Sequence, residues 1–114
     1  MKYAAVGPIA VHLPERIESN ADLVADNPKW DMDLIASKTG IYNRHVAGPE
    51  ECSSDLGVKA AEKLFEEYSI DRSSIDFLFF CTQTPDYPLP TTACLIQDRL
   101  GLPTNCGALD FNLG

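Results

Sequence analysis

The groups best able to form a covalent bond are four thiols, Cys52, Cys81, Cys94 and Cys106, spread through 114 residues. A thiol acts as nucleophile or metal ligand in its thiolate form, which needs a cation, an imidazole or a helix N-terminus beside it. The four form no C-x-x-C pair and have no histidine at zinc-ligand spacing, so no metal site is predicted. Cys94 falls on the apolar side of a helical pattern and Cys81 within a buried strand pattern, both settings of inert packing residues. Cys52 stands beside Glu50 and Glu51, and Cys106 opens a strand pattern where partial exposure is expected. An even count could close two disulfides, but buried Cys81 and Cys94 favour reduced thiols and a cytoplasmic protein. Asp86, in the proline-rich loop TPDYPLP, reads as a turn residue rather than an acid catalyst. The loop itself is the best binding feature, because its prolines hold shape with few internal hydrogen bonds.

Secondary structure must hold such groups in place. Tyr3 to Val11 is mostly small and apolar, a pattern that predicts a buried first strand despite Pro8. Ser19 and Asn20 offer N-cap oxygens to a short helix through Ala21, Leu23 and Val24, closed by Asn27-Pro28. A second helix is predicted from about Asp31, with Leu34 and Ile35 on one face and Gly40 as its stop, before an extended stretch from Ile41 to Val46. Ser53 or Ser54 is expected to cap the next helix, whose Leu56, Ala60, Leu64 and Phe65 share a face. The run IDFLFFCT predicts a central parallel strand buried on both faces. Pro85, Pro88 and Pro90 exclude regular structure up to a helix from Thr91 or Thr92, with Ala93, Ile96 and Leu100 on one side and Gly101 as its stop. CGALDFNL reads as a last strand. This alternation predicts an α/β fold with a largely parallel sheet.

Apolar residues make up 45% of the chain and charged residues 23%, a balance that favours folding over disorder. The length allows one domain rather than two. A net charge of −8 repels nucleic acid. No apolar run approaches the length of a membrane span, so no span is expected. No glycine-rich phosphate loop is present.

Three segments resemble a known family in order and spacing: SKTGIYNRHVAGPEECSSDLGVKAAEKL, DFLFFCTQTPDYPLPTTACLIQDRLGL and GALDFNLG. The resemblance is to the N-terminal portion of the β-ketoacyl-acyl-carrier-protein synthases III, condensing enzymes of the thiolase superfamily. It implies that residues 1–114 form a partial N-terminal domain of a thiolase-like, layered α-β-α-β-α fold with a mostly parallel sheet. The implied reaction is condensation of an acyl thioester with a malonyl thioester through an acyl-cysteine, in fatty-acid or polyketide synthesis. In that family the nucleophilic cysteine is expected directly after Gly114, at a helix N-terminus that favours the thiolate. Its histidine and asparagine partners are expected further on, and neither His12 nor His45 sits in a matching motif. No catalytic residue is therefore expected within these 114 residues, which alone should be inactive and, with an uncovered sheet edge, poorly soluble or oligomeric.

The resemblance also implies substrates and partners: thioesters of coenzyme A or acyl carrier protein, no permanently bound cofactor, the remainder of the same enzyme, a second copy in a homodimer, and acyl carrier protein. Leu89 matches a residue that in the family closes the partner's acyl pocket across the dimer, where others carry an aromatic; the alternative is a leucine that only packs the loop. At the positions where the family sandwiches adenine between Trp and Arg, this chain has Leu34 and Lys38, with Trp30 one turn upstream. Lys38 keeps a charge for a phosphate but lacks the planar guanidinium that stacks on a base. Alternatives are an enzyme that transfers acyl groups without decarboxylation, a hydroxymethylglutaryl-coenzyme A synthase-like enzyme, or a non-catalytic structural fragment.

Overall fold

The computed structural model describes residues 2–113, so the expectation attached to Gly114 and beyond lies outside the described residues. The chain divides into two compact units, Leu13–Glu51 and the remaining described residues.

In Leu13–Glu51, β1 (Arg16–Ser19) pairs antiparallel with β2 (Asn43–Val46), and the chain between them forms α1 (Asn20–Asp26) and α2 (Met32–Thr39). Local chemistry sets the helix ends. Ser19 and Asp22 make a reciprocal capping box on α1, and the Asp31 carboxylate accepts from the Leu34 N–H to open α2. Gly40 closes α2 with φ of 71°, a left-handed conformation that a Cβ penalises. Gly40→Ala is expected to cost about 1 kcal/mol, and Gly40→Asn less, in a denaturant titration. An unchanged alanine midpoint would refute this role for Gly40. Leu34 and Ile35, expected to share a face of α2, are both partly exposed; Met32 and Ala36 are the residues α2 buries.

The second unit contains α3 (Ser53–Tyr68), a short 3-10 turn at Arg72–Ser74, β3 (Phe77–Cys81), α4 (Thr92–Arg99) and β4 (Gly107–Phe111). β3 and β4 are parallel, from Phe77 opposite Gly107 to Cys81 opposite Phe111, as expected of an α/β fold. The core joins Phe65 of α3, Ile96 and Leu100 of α4, and Leu102 and Cys106, with Val58, Ala61, Leu78 and Phe80 packed against them. Burial of each large side chain stabilises by roughly 1.5–3 kcal/mol. Gly57 makes this approach possible: a Cβ there would lie 3.0 Å from the Phe80 ring and 3.4 Å from Ile96. The Arg72 guanidinium sits 5.2 Å from the Phe65 ring centroid, pairs with Glu62 and donates to the Leu100 carbonyl at 2.6 Å.

Several expectations change here. Tyr3–Val11 forms no strand: no described strand pairs with it, Pro8 has no N–H to offer, and Tyr3, Val6 and Ile9 are largely exposed. β3 is covered on one face only. Leu78 and Phe80 meet the helices, while Phe77 and Phe79, stacked at 4.4 Å, lie exposed with Phe111 on the other face. Cys81 is consequently exposed, as is Cys94, whereas Cys106 is buried in the core; all four thiols are free. On α3 the packed face runs through Ser54, Gly57, Val58, Ala61 and Phe65, leaving Leu56, Ala60 and Leu64 half-buried. The cap of α3 is Cys52 rather than Ser53 or Ser54, and its backbone N–H donates to the Asp55 carboxylate at 2.7 Å.

That bond, followed by the contact with Arg99, holds the Asp55 carboxyl below its ordinary value of 3.8. Serine hydrogen bonds act on Asp22 and Asp71 in the same direction, from Ser19 and Ser73 respectively. A carboxyl depressed by folding stabilises fully above its unfolded value, and that contribution is lost as pH falls through the folded value. The unfolding midpoint is therefore expected to drop below about pH 4, with Asp55→Asn flattening the dependence. An unaltered pH slope in the variant would remove Asp55 from this account.

Candidate functional site

Because β3 and β4 run parallel, their carboxyl ends open on one side, where open parallel sheets place their ligands. A cleft of about 300 Å³ lies there. Thr82, Gln83, Pro85, Tyr87, Pro88 and Thr91 line it from the loop between β3 and α4, and Asp110, Phe111 and Asn112 from the end of β4.

Asp110 joins strand to helix. Its two carboxylate oxygens accept from the Thr92 and Ala93 N–H groups, both at 2.6 Å, which satisfies the first turn of α4 with a negative charge at the positive end of its dipole. With both oxygens so occupied, Asp110 acts as a structural cap rather than a base. Asp86 anchors the loop from inside. The Ser54 hydroxyl donates to Asp86 Oδ2, the Asp86 N–H donates to Thr92 Oγ1 at 3.2 Å, and the Ser53 hydroxyl donates to the Thr84 carbonyl at 2.9 Å. Arg99 completes the network by donating to Ser54 Oγ at 3.0 Å and to Asp55 at 2.8 Å.

Leu89 stands 82% exposed beyond this anchored part of the loop. Trp30, Leu34 and Lys38 belong to the other unit. Trp30 directly precedes the cap of α2 and is 51% exposed, Leu34 is 49% exposed, and Lys38 is exposed in the last helical turn. Their spacing of four places them in succession along one side of α2 and its entry. His45 is engaged structurally, its Nδ1 against the Pro14 carbonyl.

The cleft lining offers hydroxyls, a phenol, amides and the Asp110 carboxylate already held by α4, with no thiol or imidazole. Such a surface can shape and position a substrate without attacking it. Among the described residues no group of three or more His, Cys, Asp or Glu is placed to hold a metal ion, and no helix is long and apolar enough to cross a membrane. The sequence pattern singled out neither Arg99 nor Asp110, and Ser54 only as a helix cap. The signal for Asp110 was a carboxylate inside the apolar run GALDFNL, where a charge must find donors.

Helices packed on one side of a parallel strand pair, with a loop-lined cleft at the carboxyl ends of the strands, form an α/β arrangement that matches part of thiolase-like structures. No protein-family model matches the chain. A β-ketoacyl-[acyl-carrier-protein] synthase III of Sulfurovum sp. is 40% identical over 96% of this chain, which covers 32% of that relative. A solved 3-oxoacyl-(acyl-carrier-protein) synthase III is 48% identical with a TM-score of 0.86, over 96% of this chain and 33% of that one. The synthase III of Thermus thermophilus superposes with a TM-score of 0.81 at 36% identity, over 93% of this chain and 32% of its own. The chain thus spans about a third of the length of the relatives it matches. Over nearly all of its length it is similar to the N-terminal third of β-ketoacyl-acyl-carrier-protein synthase III proteins.

Proposed function

We propose that the whole protein condenses an acyl thioester with a malonyl thioester. The observation that carries this reading is near-complete coverage of the chain, in sequence and in fold, by synthases III. A cysteine following residue 114 would attack the acyl thioester and release the carrier thiol. Loss of carbon dioxide from the malonyl thioester would then leave a carbanion that displaces the cysteine. The described residues build the frame: β4 aims the chain toward the nucleophile, and the 82–91 loop walls the substrate cleft. Leu89, exposed at the loop, closes the acyl pocket of a second copy, and Trp30, Leu34 and Lys38 meet the nucleotide or pantetheine end of the donor. The donor carrier is coenzyme A or acyl carrier protein, and the enzyme works as a cytoplasmic homodimer with no resident cofactor.

The test is incubation of the full-length polypeptide with a short acyl-coenzyme A and malonyl-acyl-carrier protein. An acyl mass on one cysteine and a 3-oxoacyl product with carbon dioxide are expected, while the 114-residue chain alone gains no acyl mass. Absence of both adduct and product across short and medium acyl donors would overturn the reading. Acylation without carbon dioxide release would instead favour plain acyl transfer.

A further inference from the structure

We propose that the Ser54–Asp86 contact is a latch that sets the position of the 82–91 loop, making two residues outside the cleft lining determinants of acyl-chain selection. The selectivity half of this proposal rests on the function proposed above; the latch itself rests on geometry alone. Asp86 lies inside the loop, five residues after the chain leaves β3 at Cys81 and three before Leu89, yet its carboxylate turns away from the cleft toward α3. There the Ser54 hydroxyl is its hydrogen-bond donor, while Asp86 Oδ1 is buried with no partner among the described residues.

A carboxylate taken out of water with one donor is expensive to hold, and removing that donor leaves the whole group unsatisfied. Ser54 is itself 1% exposed and fixed by Arg99, so the hydroxyl cannot follow the loop if the loop moves. The remaining ties are weaker or local: Ser53 to the Thr84 carbonyl, Thr82 Oγ1 to the Thr84 N–H, and Thr92 Oγ1 to the Asp86 N–H. Pro85, Pro88 and Pro90 stiffen the loop, so a shift at Asp86 is transmitted to Tyr87 and Leu89 rather than absorbed between them. A displaced wall alters the fit of successive methylenes, and one methylene is worth about tenfold or more in discrimination.

The experiment uses the full-length polypeptide with Ser54→Ala, Asp86→Ala and Ser54→Thr, the last keeping the hydroxyl. Hydrogen exchange of the 82–91 amides is read beside the kcat/KM ratio for a short and a medium acyl-coenzyme A. Exchange roughly fivefold faster in this loop is expected for the two alanine variants, with threonine near wild type and β4 amides unchanged. The kcat/KM ratio is expected to shift about tenfold in the same two variants. Unchanged loop exchange would overturn the latch, whatever the activity. Faster exchange with an unmoved ratio would overturn the selectivity role, provided Leu89→Phe moves that ratio. Activity with no acyl donor at all would instead sink the proposed function, and the exchange data would still decide the latch.

Discussion

Asp110→Ala is expected to lower the unfolding free energy by about 3 kcal/mol and to lose hydrogen-exchange protection first at Thr92 and Ala93. Two effects add. The Thr92 and Ala93 N–H groups belong to residues with no solvent exposure, so removal of the carboxylate leaves two amide donors that water cannot readily reach. The favourable placement of negative charge at the start of α4 also disappears. Asp110→Asn isolates the parts: one amide oxygen can satisfy one N–H, but the amide NH₂ faces the other. It is expected to recover less than half of the loss. A denaturant titration measures both variants, and an alanine variant within about 0.5 kcal/mol of wild type would refute the role given to this strand carboxylate.

Leu100→Ala is expected to cost about 3 kcal/mol in the same titration. Leu100 is 1% exposed and lies in the cluster with Phe65, Ile96, Leu102 and Cys106. Truncation there loses transfer free energy and leaves a cavity, because the backbone around it is held: the Leu100 carbonyl accepts from Arg72, and its N–H donates to the Ile96 carbonyl at 2.9 Å. Leu100→Met, which conserves volume, is expected to cost less than about 1.5 kcal/mol. Equal losses for the two variants would mean that branched shape, rather than filled volume, is what the site requires.

Features written in neighbouring residues were legible in the sequence. The Ser19 cap of α1 and the Gly40 stop of α2 follow from local backbone chemistry within one turn, and the Ala93, Ile96 and Leu100 face of α4 from helical periodicity. Burial was less legible. Periodicity says which residues are apolar, not which neighbours arrive to cover them. Cys81 and Cys94 therefore proved exposed and Cys106 buried, and the packed face of α3 turned toward Gly57. Tyr3–Val11 shows the same limit, since a strand exists only where another pairs with it. At the site, the exposed Leu89 could be singled out from the family pattern, but the network around Asp86 could not. Ser54 is 32 residues from Asp86 and 45 from Arg99 along the chain, and no local pattern reports such a bond.

The location of the core also bears on the order in which the chain can become protected during synthesis. Phe65, Ile96, Leu100, Leu102 and Cys106 all come from the later half, while Met32 and Ala36 are the buried hydrophobics of the first fifty described residues. A ribosome delivers that first half with little to bury, and local helix caps alone do not hold short helices in water. Protease resistance of stalled nascent chains should then rise steeply only once α4 has emerged; resistance already present at residue 60 would contradict this order.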